Sequence, residues 1–138
     1  HYRRHVDLHD FPREFVTGWE ALDHPTEPRT VALATGWVWP GHNWYFYPLM
    51  GSRLQNHVLY VPVNRRGVEP THVDSGMLRT RVDECDWLSN LKELEVDRVI
   101  IQAPFPEEQH WMAARPSQFR RVVAEPFVEV YEVTRQPR

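Results

Sequence analysis

"DRVIIQAPFPEEQHWMAARPSQFRRVVAEPFVEVYEV", residues 97–133, is the stretch whose reading decides the fold. DRVIIQA (97–103) places apolar residues in succession, as in a strand covered on both faces. PFPEEQHWMAAR follows, with Pro106, Glu107 and Glu108 in a first turn and a stop before Pro116, which predicts a helix. FRRVVAEPFVEVYEVTR then divides at Glu125-Pro126 into two short strands. Val128 and Val130 alternate with Glu129, the pattern of half-exposed antiparallel strands.

Upstream, the same strand–helix alternation continues. Asp83 opens a helix on which Cys85, Leu88, Leu91 and Leu94 form one broad face, with Trp87 beside it. HVLYVPV (57–63) and TVALATG (30–36) read as buried strands. Phe11, Phe15, Trp19 and Leu22 recur at helical spacing, with Asp10 as N-cap and Pro12 in the first turn. DHPTEPR breaks that helix, and GSRLQN (51–56) is expected to form one or two helical turns capped by Ser52. Residues 1–10 read as a polar lead-in and 64–81 as a surface excursion. The expected fold is therefore α/β: a three-layer Rossmann-like open sheet, mostly parallel, with a C-terminal antiparallel hairpin, forming a single domain over 11–138.

With 138 residues the chain has the size of one domain and needs neither disulfide nor metal to fold. Net charge is −3, and no basic block exceeds Arg65-Arg66 or Arg120-Arg121, which argues against a broad nucleic-acid face. Cys85 is the only cysteine, so no internal disulfide can form. No apolar run approaches the length of a membrane span, and no signal peptide is visible. The chain starts at His1 rather than Met, which suggests an excised or processed piece.

In open α/β sheets ligands bind beyond the carboxyl ends of the strands. Three segments are expected to meet there: Gly36 to Gly51, Asn64 to Arg66, and APFPEE after the third strand. Gly51 and Ser52 at a helix start would offer N–H groups to an anion, worth about 0.3–1 kcal/mol, and Arg53 would add a forked donor. The competing reading is that Gly51 only permits a turn and Arg53 meets solvent or an acidic neighbour. No GxGxxG or GxxxxGK[ST] supports a nucleotide site.

Trp37, Trp39, Trp44, Tyr45, Phe46 and Tyr47 crowd into eleven residues. Trp37 and Phe46 suit the core, whereas Trp39, Trp44, Tyr45 and Tyr47 suit a stacking platform for sugars or a membrane interface. His42 and Asn43 lie within the same loop and complete the candidate ligand set. His42 or His110 would serve as a base only with an orienting carboxylate, and Glu107 and Glu108 put His110 on a solvated face. His1, His5 and His9 share a four-residue spacing but lack an HExxH pattern, so no metal site is expected. No GxSxG elbow accompanies any serine, and Cys85 is expected on a buried stripe. No catalytic residue is assigned and no cofactor is expected.

FVTGWEALD, TVALATG, YPLMGSRLQNHVLYVPV, WLSNLKELEVDRVII and EEQHWMAARPSQFRRVVAEPFVEVYEV together resemble a known pattern, from Phe11 to Val133. They are similar to the soluble C-terminal domain of bacterial polytopic membrane glycosyltransferases, the dolichyl-phosphate-mannose-protein mannosyltransferase-like group. The resemblance implies that sugar transfer belongs to a membrane part of the same polypeptide. This chain would then be a non-catalytic extracytoplasmic domain whose partners are that membrane part and a glycan or lipid-linked sugar. None of the family's catalytic residues has a counterpart here, and 64–81 matches no part of the pattern. Two other functions remain open: a free-standing Rossmann-like binder or enzyme for a phosphorylated or nucleotide small molecule, and a carbohydrate-binding module using Trp39, Trp44 and Tyr45.

Overall fold

The computed structural model describes residues 13–24, 26–35, 49–64 and 81–134. Among the described residues eight elements follow one another: α1 (Arg13–Leu22), β1 (Thr30–Thr35), β2 (His57–Leu59), α2 (Glu84–Glu93), β3 (Arg98–Gln102), α3 (Glu108–Ala113), β4 (Phe119–Glu125) and β5 (Val128–Val133). The five strands form one sheet in the order β2-β1-β3-β5-β4.

That sheet is mixed, which corrects the expectation of a three-layer, mostly parallel Rossmann-like fold. β1 pairs parallel with β2 and with β3, but β3–β5 and β4–β5 are antiparallel. The reason lies in β5. Its chain turns at 126–127 and returns between β4 and β3, so the connection through α3 carries β4 past the position beside β3. Alternating strands and helices show that a crossover exists, but not which neighbour the next strand takes.

Side-chain alternation sends each strand's apolar residues to two faces. On one face Ala32, Ala34, Leu59, Val99, Ile101 and Tyr131 pack with Trp87 and Leu91 of α2, Met112 of α3 and Phe119. Trp87 anchors this layer, 1% exposed, stacked on Phe119 at 5.8 Å and tilted against Trp111 at 5.6 Å. On the other face Val31, Leu33, Val58, Ile100, Val128 and Val130 meet Trp19 and Leu22 of α1, together with Leu49. Gly18 lets α1 approach closely, because a Cβ there would lie 2.7 Å from Val128 Cγ1.

Two local expectations need revision as well. α2 is capped as its sequence predicts, Asp83 accepting the N–H of Asp86 at 2.8 Å. Its buried side chains are Trp87 and Leu91, however, and Cys85 is exposed. The segment 51–56 is a turn rather than a helix: Gly51 has φ 85° and Leu54 φ 56°, so the chain reverses hand twice. Asp10, Phe11 and Pro12 lie outside the described residues.

Candidate functional site

The turn containing Gly51, Ser52 and Arg53 lies at the amino-terminal edge of the sheet, not beyond its carboxyl ends. His57 begins β2 directly opposite Thr30, the first residue of β1, and its N–H donates to Arg29 O at 2.8 Å. A connection between parallel strands must travel back the length of the sheet, so its last residues arrive at the amino end. There the turn meets Asp23 and His24 at the end of α1.

The Ser52 N–H and hydroxyl and the Arg53 N–H are already occupied. Asp23 Oδ1 accepts the Ser52 N–H at 3.0 Å, the Ser52 hydroxyl at 3.1 Å and Gln55 Nε2 at 2.9 Å. Gln55 Nε2 also donates to His24 O at 3.0 Å, while its Oε1 accepts the Arg53 N–H at 3.1 Å. The protein's own carboxylate thus holds the place expected for an external anion. Gly51 matters because a Cβ would strike the Gln55 amide at 2.5 Å and φ is positive there.

Asn56 locks the same corner. Its amide, 5% exposed, donates to Leu22 O and Leu49 O at 2.9 Å each, and its Oδ1 accepts the Arg29 N–H at 3.1 Å. One side chain therefore satisfies the end of α1, the 3₁₀ turn at 49–50 and the approach to β1. Asp23, Gln55 and Asn56 escaped the sequence reading; the available signal was a run of short polar residues immediately before an apolar strand.

Trp39, His42, Asn43, Trp44, Tyr45 and Tyr47 lie outside the described residues, as does the platform they were expected to build. At the carboxyl end of β3, Gln102 is 5% exposed and its Nε2 has no hydrogen-bond partner among the described residues. His110 and Glu107 are exposed, as expected of a solvated face, whereas Glu108 is 1% exposed.

Two further polar groupings belong to β4 and β5. Glu129, 7% exposed, accepts from the Tyr131 hydroxyl at 2.9 Å, Gln109 Nε2 at 3.2 Å and Arg121 Nη1 at 3.3 Å. Burial, reinforced by the Glu129 carboxylate, pushes the Tyr131 hydroxyl up to about 12. On the opposite face Glu132 accepts from Arg98 Nη2 at 2.9 Å, and from both Nε and Nη2 of Arg120. The hydrogen bonds from Arg120, and then the charge of Arg98, hold Glu132 below the usual carboxylate range in spite of its partial burial.

A groove of about 410 Å³ runs between Pro62 and the outer side of α2, past Cys85, Ser89 and Glu93. Among the described residues no cluster of three or more His, Cys, Asp or Glu side chains could hold a metal. Among the same residues no helix is long and apolar enough to cross a membrane. No protein-family model matches the chain, and neither a curated protein sequence nor a solved structure matches it.

Proposed function

We propose that this chain is a non-catalytic extracytoplasmic accessory domain of a bacterial membrane glycosyltransferase, assisting the binding of acceptor or lipid-linked sugar. The reading starts from the sequence pattern between Phe11 and Val133. One structural observation favours it over a phosphate-binding enzyme at the Gly51 turn: Asp23 occupies the Ser52 N–H and hydroxyl there. A phosphate entering that turn would have to displace a carboxylate that already accepts three hydrogen bonds, and the two like charges would repel. Residues of the pattern also fall on packing positions, with Leu49, Asn56, Trp87 and Leu91 all buried. This suits a domain whose motif residues maintain shape while a membrane part performs transfer.

Two measurements test the proposal. The native reading frame upstream of His1 is expected to encode several apolar spans, and a start codon there with no spans overturns it. The isolated chain, given a polyprenyl-phosphate sugar and a peptide acceptor, is expected to show no transfer. Sugar transfer by the chain alone would refute the non-catalytic role.

A further inference from the structure

β1 and β3 lie side by side and parallel, and their last residues, Thr35 and Gln102, pair across the sheet. The chain leaving β1 goes on to β2 on one side of this pair, whereas the chain leaving β3 goes on to β4 and β5 on the other. The two connections also reach opposite faces: Leu49, before β2, packs in the layer of α1, and Met112 of α3 packs in the layer of α2. Where neighbouring parallel strands send their chains apart in this way, a crevice opens beyond their carboxyl ends, and ligands of open α/β sheets bind there.

Gln102 ends β3 at that point, buried and with Nε2 unpartnered among the described residues. Packing does not account for it, since an apolar side chain of similar volume would leave no donor unsatisfied. Nε2 makes no hydrogen bond where it lies, so turning the amide toward the strand end gives none up. The surroundings limit what the amide can meet. Segments 103–108 and 125–127 carry Glu107, Glu108 and Glu125 but no lysine or arginine, which disfavours an anion. Glu125 pairs with Val128, itself the partner of Gln102, so its carboxylate stands in the same row two strands away, about 10 Å. Phe127, 49% exposed, offers an apolar ring at this edge, and its carbonyl accepts the N–H of Ala103 at 2.8 Å.

We propose that the crevice beyond β1 and β3 binds an uncharged sugar, with Gln102 Nε2 donating to one hydroxyl, the Glu125 carboxylate accepting from another and Phe127 against the ring. A sugar supplies hydroxyls that both accept and donate, together with an apolar ring face, and it brings no charge to an edge that holds carboxylates. The site is separate from the Gly51 turn. It rests on the accessory-domain reading for the source of the sugar, and it narrows that reading to a neutral acceptor glycan rather than a phosphate-linked donor.

Amide NMR spectra of the whole chain are followed during titration with the methyl glycosides of mannose, glucose and N-acetylglucosamine, each to about 100 mM so that millimolar binding is seen. Glycerol serves as the polyol control. At least one sugar is expected to give saturable shifts at the Gln102 side-chain amide and at the N–H groups of Gln102, Ala103 and Phe127, with none from glycerol. Gln102→Leu is expected to abolish the shifts at Ala103 and Phe127, and Gln102→Met, which keeps the length of the side chain without its amide, to do the same. Glu125→Ala is expected to weaken binding roughly tenfold, the loss of one hydrogen bond to a charged acceptor. The absence of saturable shifts with all three sugars overturns the proposal, as do equal shifts with glycerol or shifts that survive both Gln102 variants. Shifts produced by vesicles carrying a polyprenyl-phosphate mannose, but not by the free glycosides, overturn it too. Sugar shifts in a protein whose native frame encodes no upstream spans would keep this site and remove the accessory-domain reading, whereas upstream spans without sugar shifts would do the reverse.

Discussion

The parallel and antiparallel halves of the sheet place their polar side chains by different rules. Beside β2, β1 and β3, carboxylates and amides reach backbone: Asp23 holds the Ser52 N–H as well as two side-chain donors, Asp97 the Thr30 N–H, and Asn56 two carbonyls and an N–H. On β5 and β4, carboxylates bond side chains: Glu129 meets Tyr131, Gln109 and Arg121, and Glu132 meets Arg98 and Arg120. Connectivity explains the difference. Parallel strands require long returns to the amino edge, where unpaired backbone groups gather and short polar side chains must satisfy them. A hairpin needs two linking residues, so its charges face one another directly across strands.

Substitutions in each half can break this contrast. The largest effect is expected from Trp87→Ala, which leaves a cavity against Phe119 and Trp111 and should cost about 4 kcal/mol in urea denaturation. A loss below about 1 kcal/mol would mean that α2 does not anchor this face. Asn56→Ala is expected to cost about 3 kcal/mol, because two buried carbonyls and an N–H lose their partner together. Amide exchange should then speed up around 22–30 and 49–57 while the β4–β5 hairpin stays protected. Uniform acceleration would show that the halves open as one unit.

The antiparallel half should respond to pH instead. Tyr131 has its folded value raised to about 12, so its contribution is complete below the unfolded value near 10 and is lost as pH rises through about 12. Stability should therefore fall by about 2 kcal/mol over that interval, and Tyr131→Phe should remove this part of the slope. An unchanged slope in the variant would place the alkaline loss elsewhere. Glu132 works in the opposite direction: its folded value is depressed, so its contribution is present above the usual carboxylate range and lost as pH falls through the folded value. Glu132→Gln should flatten that acid limb by less than about 1 kcal/mol, since the pair is partly open to water. A loss several times larger would reveal a buried charge left uncompensated on Arg98.

Most elements were legible in the sequence because their signals are local. Asp83 before the Leu88, Leu91 and Leu94 spacing announced α2, and the apolar succession in VIIQ announced β3. The buried face of α2 was harder to place. Periodicity marks a stripe but not which of two adjacent residues lies deepest, and the bulk of Trp87 displaced Cys85 to the surface. Glu129 was misjudged for another reason. A carboxylate is buried only where donors reach it, and for Glu129 these come from α3 and β4 as well as β5. The Gly51 turn was rightly seen as a place with N–H groups to satisfy, but Asp23, 28 residues before it in sequence, satisfies one of them.

By itself, the sequence determined the number and type of most elements, the cap of α2 and the apolar stripes that bury them, because these depend on neighbours a few residues away. The tertiary structure decided that β5 enters the sheet antiparallel beside β3, that the Gly51 turn closes on Asp23, and that two arginines share Glu132. Those outcomes depend on which distant strands become neighbours, and strand pairing is settled by side chains that meet only once the chain has folded.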